Sequence, residues 1–204
     1  MTGVPDPRLA ACSVDVQAIL RRSVASLYSH LVTRPTGRAV RQAIESQLGE
    51  LPRPTLSLVD LSSVSILDYS CADEVVAKLL LREPEADQEV FFVLAGVRSR
   101  HREPIEAVLD RHRLAVVAET SPARFELIGF GSDGERALWE VVELRRRVPA
   151  REVAEIAADG EARSWLDRLV RRRLLFRDPI LGDLHALSTL VRPTGTVGGG
   201  EGSQ

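Results

Sequence analysis

The sequence predicts an α/β protein with a largely parallel or mixed sheet, followed by a small C-terminal α+β unit. Three observations predict this arrangement. Short apolar runs alternate with amphipathic helical stretches up to about residue 130, which implies crossover connections between parallel strands. Residues 90–97 are continuously apolar, as expected for a central strand that is covered on both faces. From Gly134 onward, three stretches with helical periodicity precede two short strand-like runs.

The individual elements follow from periodicity and from turn residues. In the first part we predict an unstructured tail over 1–13, helices over 15–26, 36–49, 70–81 and 102–112, and strands over 28–33, 55–61, 90–97, 114–118 and 125–129. In the second part we predict helices over 137–146, 149–158 and 162–173, a hairpin formed by 174–177 and 184–190, and a Gly-rich disordered tail over 193–204. The predicted domains therefore cover residues 14–130 and 131–192.

Composition narrows the classes of function and location. The net charge of −2 argues against general electrostatic binding of nucleic acid or membrane. Residues 135–192 carry 12 Lys and Arg against 10 Asp and Glu, so this part is the better candidate for contact with an anionic partner. Cys12 and Cys71 are too far apart for a disulfide framework or a metal site, and we expect Cys71 to be a small buried thiol. No membrane span or signal-peptide pattern is present, so we expect a cytoplasmic protein without membrane contact.

Searches for catalytic motifs find none. There is no nucleophile elbow, zinc-protease motif or Walker loop, and the four histidines are dispersed. Asp60 and Asp68 are expected to cap turns rather than to bind a cation. Residues 129–134 read G-F-G-S-D-G, but the second strand and acidic residue of a dinucleotide fingerprint are missing, which favours a linker between domains. We therefore expect a protein that is not an enzyme and has no cofactor or metal.

Residues 59–74 contain the most distinctive pattern, V-D-L-S-S-V-S-I-L-D-Y-S-C-A-D-E. A strand ends here, the chain turns, and a helix is predicted to begin at Ser70. Ser70 is a favoured N-cap residue, and Asp73 lies three residues later, as in a capping box. Asp73 and Glu74 also occupy the first turn, where the helix dipole favours negative charge. Capping alone accounts for these three residues, but the same helix start is also the best candidate surface for a partner or an anionic ligand.

The order of strand, D-L-S-x-V-x-x-x-D-x-S motif and helix resembles the STAS domain of bacterial anti-sigma factor antagonists and of anion-transporter tails. It is closer to a STAS-like variant that reads S-x-A-D-E, as Ser70-Cys71-Ala72-Asp73-Glu74 does. Arg34 and the helix after it resemble the first strand-to-helix junction of that variant. The resemblance covers about residues 28–120 and implies a non-enzymatic domain. It also implies a partner-binding and switch surface formed by Asp68, Tyr69, Ser70, Asp73 and Glu74.

In the antagonists, the Ser directly after the motif Asp is phosphorylated by a partner kinase. Here Tyr69 follows Asp68, and Ser70 comes one residue later. The resemblance therefore makes Ser70 a candidate phospho-acceptor. A phosphate there would add nearly two negative charges at a helix N-terminus and change the affinity for a partner.

Three helices followed by a hairpin is the element order of a winged helix. Residues 162–173 would form the recognition helix, and the wing would begin at Arg177. The arginines available to DNA are Arg163, Arg168, Arg171, Arg172, Arg173 and Arg177. Glu161 and Asp167 lie on the same helix, and a net charge of +2 is small for a dedicated DNA-binding unit. Contact with DNA and contact with a protein therefore both remain open.

These observations predict an intracellular regulatory protein. Its STAS-like domain would bind a protein partner, such as a kinase or an anti-sigma-like regulator, and its winged helix would contact DNA or another protein. The alternative is a DNA-binding transcription regulator in which the STAS-like domain senses a signal or forms a homodimer.

Overall fold

The structure, a computed structural model, describes residues 10–15, 30–51, 54–82 and 89–191. The strands up to residue 129 are β1 (Ala10–Asp15), β2 (His30–Leu31), β3 (Thr55–Asp60), β4 (Ile66–Leu67), β5 (Val90–Ala95), β6 (Ala115–Ser121) and β7 (Arg124–Gly129). Five of them form one sheet in the order β1-β3-β5-β6-β7, in which only β7 is antiparallel to its neighbour. β2 and β4 form a separate parallel pair. The predicted mixed α/β class is confirmed.

Three helices cover one face of the large sheet. They are α1 (Arg34–Gly49), α2 (Tyr69–Ala72, a π-helical turn at Asp73–Ala77, and Lys78–Leu80) and α3 (Ser99–His112). Their buried side chains, among them Val40, Val75 and Ile105, share a hydrophobic cluster with Val59 and Leu94 of the sheet. Successive parallel strands are added in one direction across the sheet, and right-handed crossovers then put every connecting helix on the same face. The opposite face therefore needs a different cover.

The C-terminal residues supply that cover. They form α4 (Asp133–Arg145), β8 (Arg147–Val148), α5 (Ala150–Ile156), α6 (Gly160–Arg171), β9 (Leu175–Arg177) and β10 (Leu184–Ala186), with an antiparallel sheet in the order β8-β10-β9. One hydrophobic cluster joins Phe91 and Val117 of the large sheet to Trp139, Leu166 and Phe176. The rings of Phe91 and Phe176 meet edge to face, with their centroids 5.6 Å apart. The two predicted domains thus share a hydrophobic core.

The N-terminal part of the sheet corrects one prediction. A tail was expected over 1–13, yet Ala10–Asp15 forms β1, which pairs with β3 from Ala10 opposite Thr55 to Asp15 opposite Asp60. The pairing partner lies 45 residues along the chain, so the short run A-A-C-S-V-D shows no local sign of it. The helix predicted over 15–26, from residue 16 onward, and the C-terminal tail over 193–204 lie outside the described residues.

The glycine-rich stretch 129–134 joins β7 to α4. The helix begins at Asp133, four residues before the predicted start at residue 137. Ser132 caps α4: its hydroxyl accepts from the Glu135 amide at 3.2 Å, while the Glu135 carboxylate accepts from the Ser132 amide at 2.9 Å. The two-residue strand β8 was not predicted, because its pairing with β10 is visible only in three dimensions. None of the described helices is long and apolar enough to cross a membrane.

The contact between α4 and α6 gives a test of this packing. A Cβ at Gly134 would lie 2.3 Å from the indole ring of Trp165. We expect Gly134→Ala to push the two helices apart and to lower the free energy of unfolding by about 1–3 kcal/mol. Gly160→Ala is the matched control, because nothing lies within 4 Å of a Cβ at that position. Urea unfolding measures both variants, and equal stabilities would contradict the close contact.

Candidate functional site

The turn between β3 and α2 is held in place from two sides. The Asp60 carboxylate accepts from the Ser62 amide at 2.8 Å, so Asp60 caps the turn as expected. Farther along, the Val64 carbonyl lies 2.8 Å from Nε2 of the buried His101, whose Nδ1 accepts from the Arg98 amide at 3.3 Å. Burial lowers the pKa of His101, so the imidazole donates to Val64 as a neutral ring. The start of α2 is therefore anchored to α3.

Asp68, not Ser70, is the N-cap of α2. The Asp68 carboxylate accepts from the Cys71 amide at 2.7 Å, and α2 begins at Tyr69. The half-buried Ser70 lies inside the first turn, and its hydroxyl donates to the two Asp68 oxygens at 3.0 and 3.2 Å. The predicted capping box of Ser70 and Asp73 is therefore wrong. Asp68 accepts instead from the Cys71 amide, and an acidic side chain at this end of a helix is also favoured by the helix dipole.

Two apolar side chains are exposed beside this cap. Ile66 is 48% exposed and Tyr69 is 51% exposed. The Tyr69 hydroxyl donates to Glu103 of α3 at 2.6 Å, which fixes the direction of the ring. We call Ile66, Asp68, Tyr69 and Ser70 the α2-start surface. It combines a rigid capped helix start with apolar area that no described residue covers.

Cys71 lies behind this surface, at the crossing of α1 and α2. Its thiol donates to the Thr33 carbonyl at 2.9 Å, and burial raises the pKa of the thiol to about 12. A Cβ at Gly37 would lie 2.9 Å from the Cys71 Cα, so the two helices touch here. Cys71 is thus the buried thiol that the sequence predicted, and it stays protonated at neutral pH.

Asp73 and Glu74 point away from the α2-start surface into a group of charged residues. We call this group the ion cluster; it consists of Arg34, Arg41, Asp73, Glu74, Lys78 and His112. Glu74 has no exposed surface, and it accepts from Arg34 at 3.0 Å, from Arg41 at 3.3 Å and from Lys78. Asp73 is 9% exposed and lies 2.9 Å from Arg34 and 2.9 Å from His112 Nε2. The cluster joins α1, α2 and the last residue of α3.

The electrostatics of the ion cluster keep both carboxylates charged. Burial raises the pKa of Glu74, but the hydrogen bonds from Lys78, Arg34 and Arg41 outweigh burial and hold this pKa below its ordinary value of 4.5. Burial acts on Asp73 in the same way, and Arg34 and His112 outweigh it there. The two acids begin the π-helical turn, a distortion that is frequent at functional sites.

The sequence singled out three residues of the ion cluster, Arg34 through the family resemblance and Asp73 and Glu74 as part of the partner-binding surface, but it did not predict that they pair with one another. It did not identify Arg41, Lys78 or His112. The Lys78 spacing, four residues after Glu74, is a local sign of an ion pair. Arg41 has the same spacing toward Glu45, but its contact with Glu74 and the contact of His112 with Asp73 join residues 33 and 39 positions apart, which no local spacing indicates.

The arginines proposed for DNA contact fall into two groups. Arg168 donates to the buried Glu135 at 2.7 Å, and Arg172 lies 3.9 Å from the same carboxylate. Arg163, Arg171 and Arg177 are exposed. Arg163 and Arg177 line a groove of about 500 Å³ between α5, α6 and the β9–β10 hairpin, together with Asp167 and several small apolar residues. The positive charge that α6 presents to solvent is therefore smaller than its number of arginines suggests, because Glu135 offsets part of it.

Comparison with known proteins gives no further guide. No protein-family model, curated protein or solved structure matches the chain. Within the described ranges, no group of three or more His, Cys, Asp or Glu side chains has the arrangement of a metal site. The chemistry of the α2-start surface therefore has to be judged from its own geometry.

The ion cluster predicts a pH dependence of stability. A carboxylate whose pKa is lowered by folding stabilises the native state above its unfolded pKa, and this stabilisation is lost as the pH falls through the folded pKa. We expect the free energy of unfolding to decrease as the pH drops below about 4.5, and we expect this decrease to be smaller in Glu74→Gln. At neutral pH, Glu74→Gln should cost about 1–3 kcal/mol, because a neutral amide replaces the buried carboxylate that accepts charge-assisted hydrogen bonds from Arg34, Arg41 and Lys78.

Glu106→Gln is the control for this measurement. Glu106 pairs with Arg102 at 2.6 Å, but both side chains are more than 40% exposed, and its loss should cost about 0.5 kcal/mol or less. Urea unfolding from pH 3 to pH 7 compares the two variants. An acid limb that is as steep in Glu74→Gln as in the wild type would contradict the role of Glu74.

Proposed function

We propose that this chain is a non-enzymatic regulatory protein with two working parts. Its STAS-like part binds a protein partner at the α2-start surface. Its C-terminal winged-helix-like part contacts DNA or another protein. The observation that carries the proposal is the pair of exposed apolar side chains, Ile66 and Tyr69, beside a helix start that is rigidly capped by Asp68.

The architecture of the first part supports the STAS-like assignment. A parallel sheet carries its helices on one face, and the D-L-S-x-V-x-x-x-D-x-S motif occupies the connection from β3 to α2. A partner that docked on Ile66 and Tyr69 would cover apolar area next to hydrogen-bonding groups, a combination that is common at protein interfaces. Fold and motif support this assignment by resemblance, whereas the exposed pair supports partner binding directly.

The second part supports the winged-helix-like assignment through element order and strand pairing. Its helix–strand–helix–helix–strand–strand order ends in a hairpin, and β8 completes a three-stranded antiparallel sheet. The hairpin tip exposes Ile180 (74%) and Leu181 (52%). An apolar tip favours a protein over a phosphate backbone as its contact, because phosphate contacts are made mainly by cationic and hydrogen-bonding groups.

Phosphorylation of Ser70 fits this proposal as a switch. The Ser70 hydroxyl donates to the Asp68 carboxylate at 3.0 Å. A phosphate on Ser70 would place about two negative charges beside that carboxylate, and the repulsion would weaken the cap of α2. The modification would therefore act on the surface that we propose to bind the partner.

Loss of the exposed pair tests partner binding. We expect Tyr69→Ala and Ile66→Ser to lose the same co-purifying protein from cells of the native organism. With that protein purified, we expect the affinity to fall by about 10-fold or more for Tyr69→Ala, because buried aromatic anchors dominate interface energies. Leu144→Ser is the matched control, since Leu144 is 85% exposed on α4, away from the α2-start surface. A partner that binds all of these variants equally would refute the proposal.

A second candidate function is sequence-specific DNA binding, and the exposed Arg163 and Arg177 on one groove favour it. We expect a labelled duplex to bind at low salt, with affinity reduced by about 1–3 kcal/mol in Arg163→Ala or Arg177→Ala if these side chains read bases. Arg124→Ala is the control, because this side chain is 72% exposed on β7. Fluorescence anisotropy measures binding, and no binding to any duplex at low salt would exclude this function.

A further inference from the structure

A cavity of about 210 Å³ lies where the end of α6 meets the large sheet. Its apolar wall comes from α2 and from the starts of β5 and β6, and includes Leu80, Val90, Phe92, Leu114, Ala115 and Val116. Its polar wall is the run Arg171, Arg172 and Arg173 at the end of α6. The cavity thus has an apolar body and a cationic rim.

The rim arginines are only partly neutralised. Arg172 donates to the Phe130 carbonyl at 2.6 Å, and its other terminal nitrogen lies 3.9 Å from Glu135. Arg173 donates to the Leu80 carbonyl at 3.1 Å. Burial lowers the pKa of both arginines, because both guanidinium groups are partly desolvated with few compensating partners.

Among the residues that the structure describes around the rim, arginines outnumber carboxylates. Arg82 and Glu89 both act electrostatically on Arg173. Arg82 Nη1 is buried, and the described residues provide no hydrogen-bond partner for it. Glu135, the carboxylate nearest to Arg172, is also held by Arg168 at 2.7 Å. Arg171, Arg172 and Arg173 therefore bring more positive charge to the cavity than the described carboxylates offset, and guanidinium groups are well suited to bind an oxyanion.

Helix capping does not explain these arginines fully. Cationic residues at a helix C-terminus often stabilise its last carbonyls, and Arg171 does lie 3.3 Å from the Asp167 carbonyl. Arg172 and Arg173, in contrast, donate to carbonyls outside α6. Arg173 also has a φ of 57°, a left-handed conformation that favours glycine. The backbone conformation alone would therefore favour glycine at this position, yet the residue is an arginine.

We propose that this cavity binds a small organic oxyanion with an apolar body, such as an aromatic carboxylate or an aromatic phosphate monoester. The anionic group would accept from Arg172 and Arg173, and the apolar body would lie against Leu114, Ala115 and Val116. An apolar cavity of about 150 Å³ accommodates benzene, so a single ring fits the available volume. The ligand would contact α2, the sheet and α6 at once, and would therefore link the two parts of the protein.

Calorimetric titration of the full chain tests this site with phenyl phosphate and benzoate. Inorganic phosphate and benzyl alcohol are the matched probes that lack the ring or the charge. We expect phenyl phosphate or benzoate to bind at least about 10-fold more tightly than either matched probe. A bound probe at about ten times its Kd should also raise the Tm by about 3–6 °C.

Two kinds of variant locate the binding. Arg173→Gln removes a rim charge, and Ala115→Leu fills the cavity while leaving every arginine in place. We expect each variant to lower the affinity for phenyl phosphate and benzoate by about 10-fold or more. Arg124→Gln changes an exposed arginine of β7, and this variant should bind both probes with wild-type affinity. If Arg173→Gln does not fold, Ala115→Leu and Arg172→Gln decide the question. Failure of both ring probes to bind more tightly than the matched probes, or wild-type binding in Ala115→Leu, would overturn the proposal.

Discussion

Both faces of the large sheet have to be covered, and this requirement determines where the other elements pack. β5 is buried along its whole length, so neither face of the sheet centre can meet water. The strand order places α1, α2 and α3 on one face, and no connecting helix remains for the other. The C-terminal residues therefore belong to the core. Trp139 and Phe176 pack against the face of the sheet that carries Phe91 and Val117. A boundary near residue 130 separates two patterns in the sequence, but the two parts share one hydrophobic interior.

Sequence periodicity was sufficient to predict most helices and strands, because buried side chains recur at regular intervals along them. The apolar run of β5 and the helical stripe of Val40, Ile44 and Leu48 follow directly from their periods. The misses have physical causes. β1 and β8 depend on pairing with distant strands, which local composition does not record. At α2, two polar residues could each cap the helix, and only the backbone geometry decided for Asp68 over Ser70.

The candidate site was only half predictable for a similar reason. The motif led to Asp68, Tyr69 and Ser70, and the structure places them at an anchored helix start. The acids that follow serve a different contact. Glu74 is buried among three cationic side chains from two helices. Its position in the first turn of α2 predicts helix capping and does not predict these contacts. Glu74 therefore connects α1 to α2 through hydrogen bonds that strengthen one another in a buried environment.

Glu135 has a comparable effect on the C-terminal part. Glu135 of α4 pairs with Arg168 and approaches Arg172, so it offsets part of the positive charge of α6. The outward face keeps Arg163, Arg171 and Arg177, while the hairpin tip presents Ile180 and Leu181. Charge that is paired with Glu135 adds little to the field that a DNA duplex would meet, whereas Arg173 lies at the seam between α6 and the sheet, where it donates to the Leu80 carbonyl. The same distribution of arginines therefore favours a protein contact for the exposed hairpin and an anionic ligand for the seam.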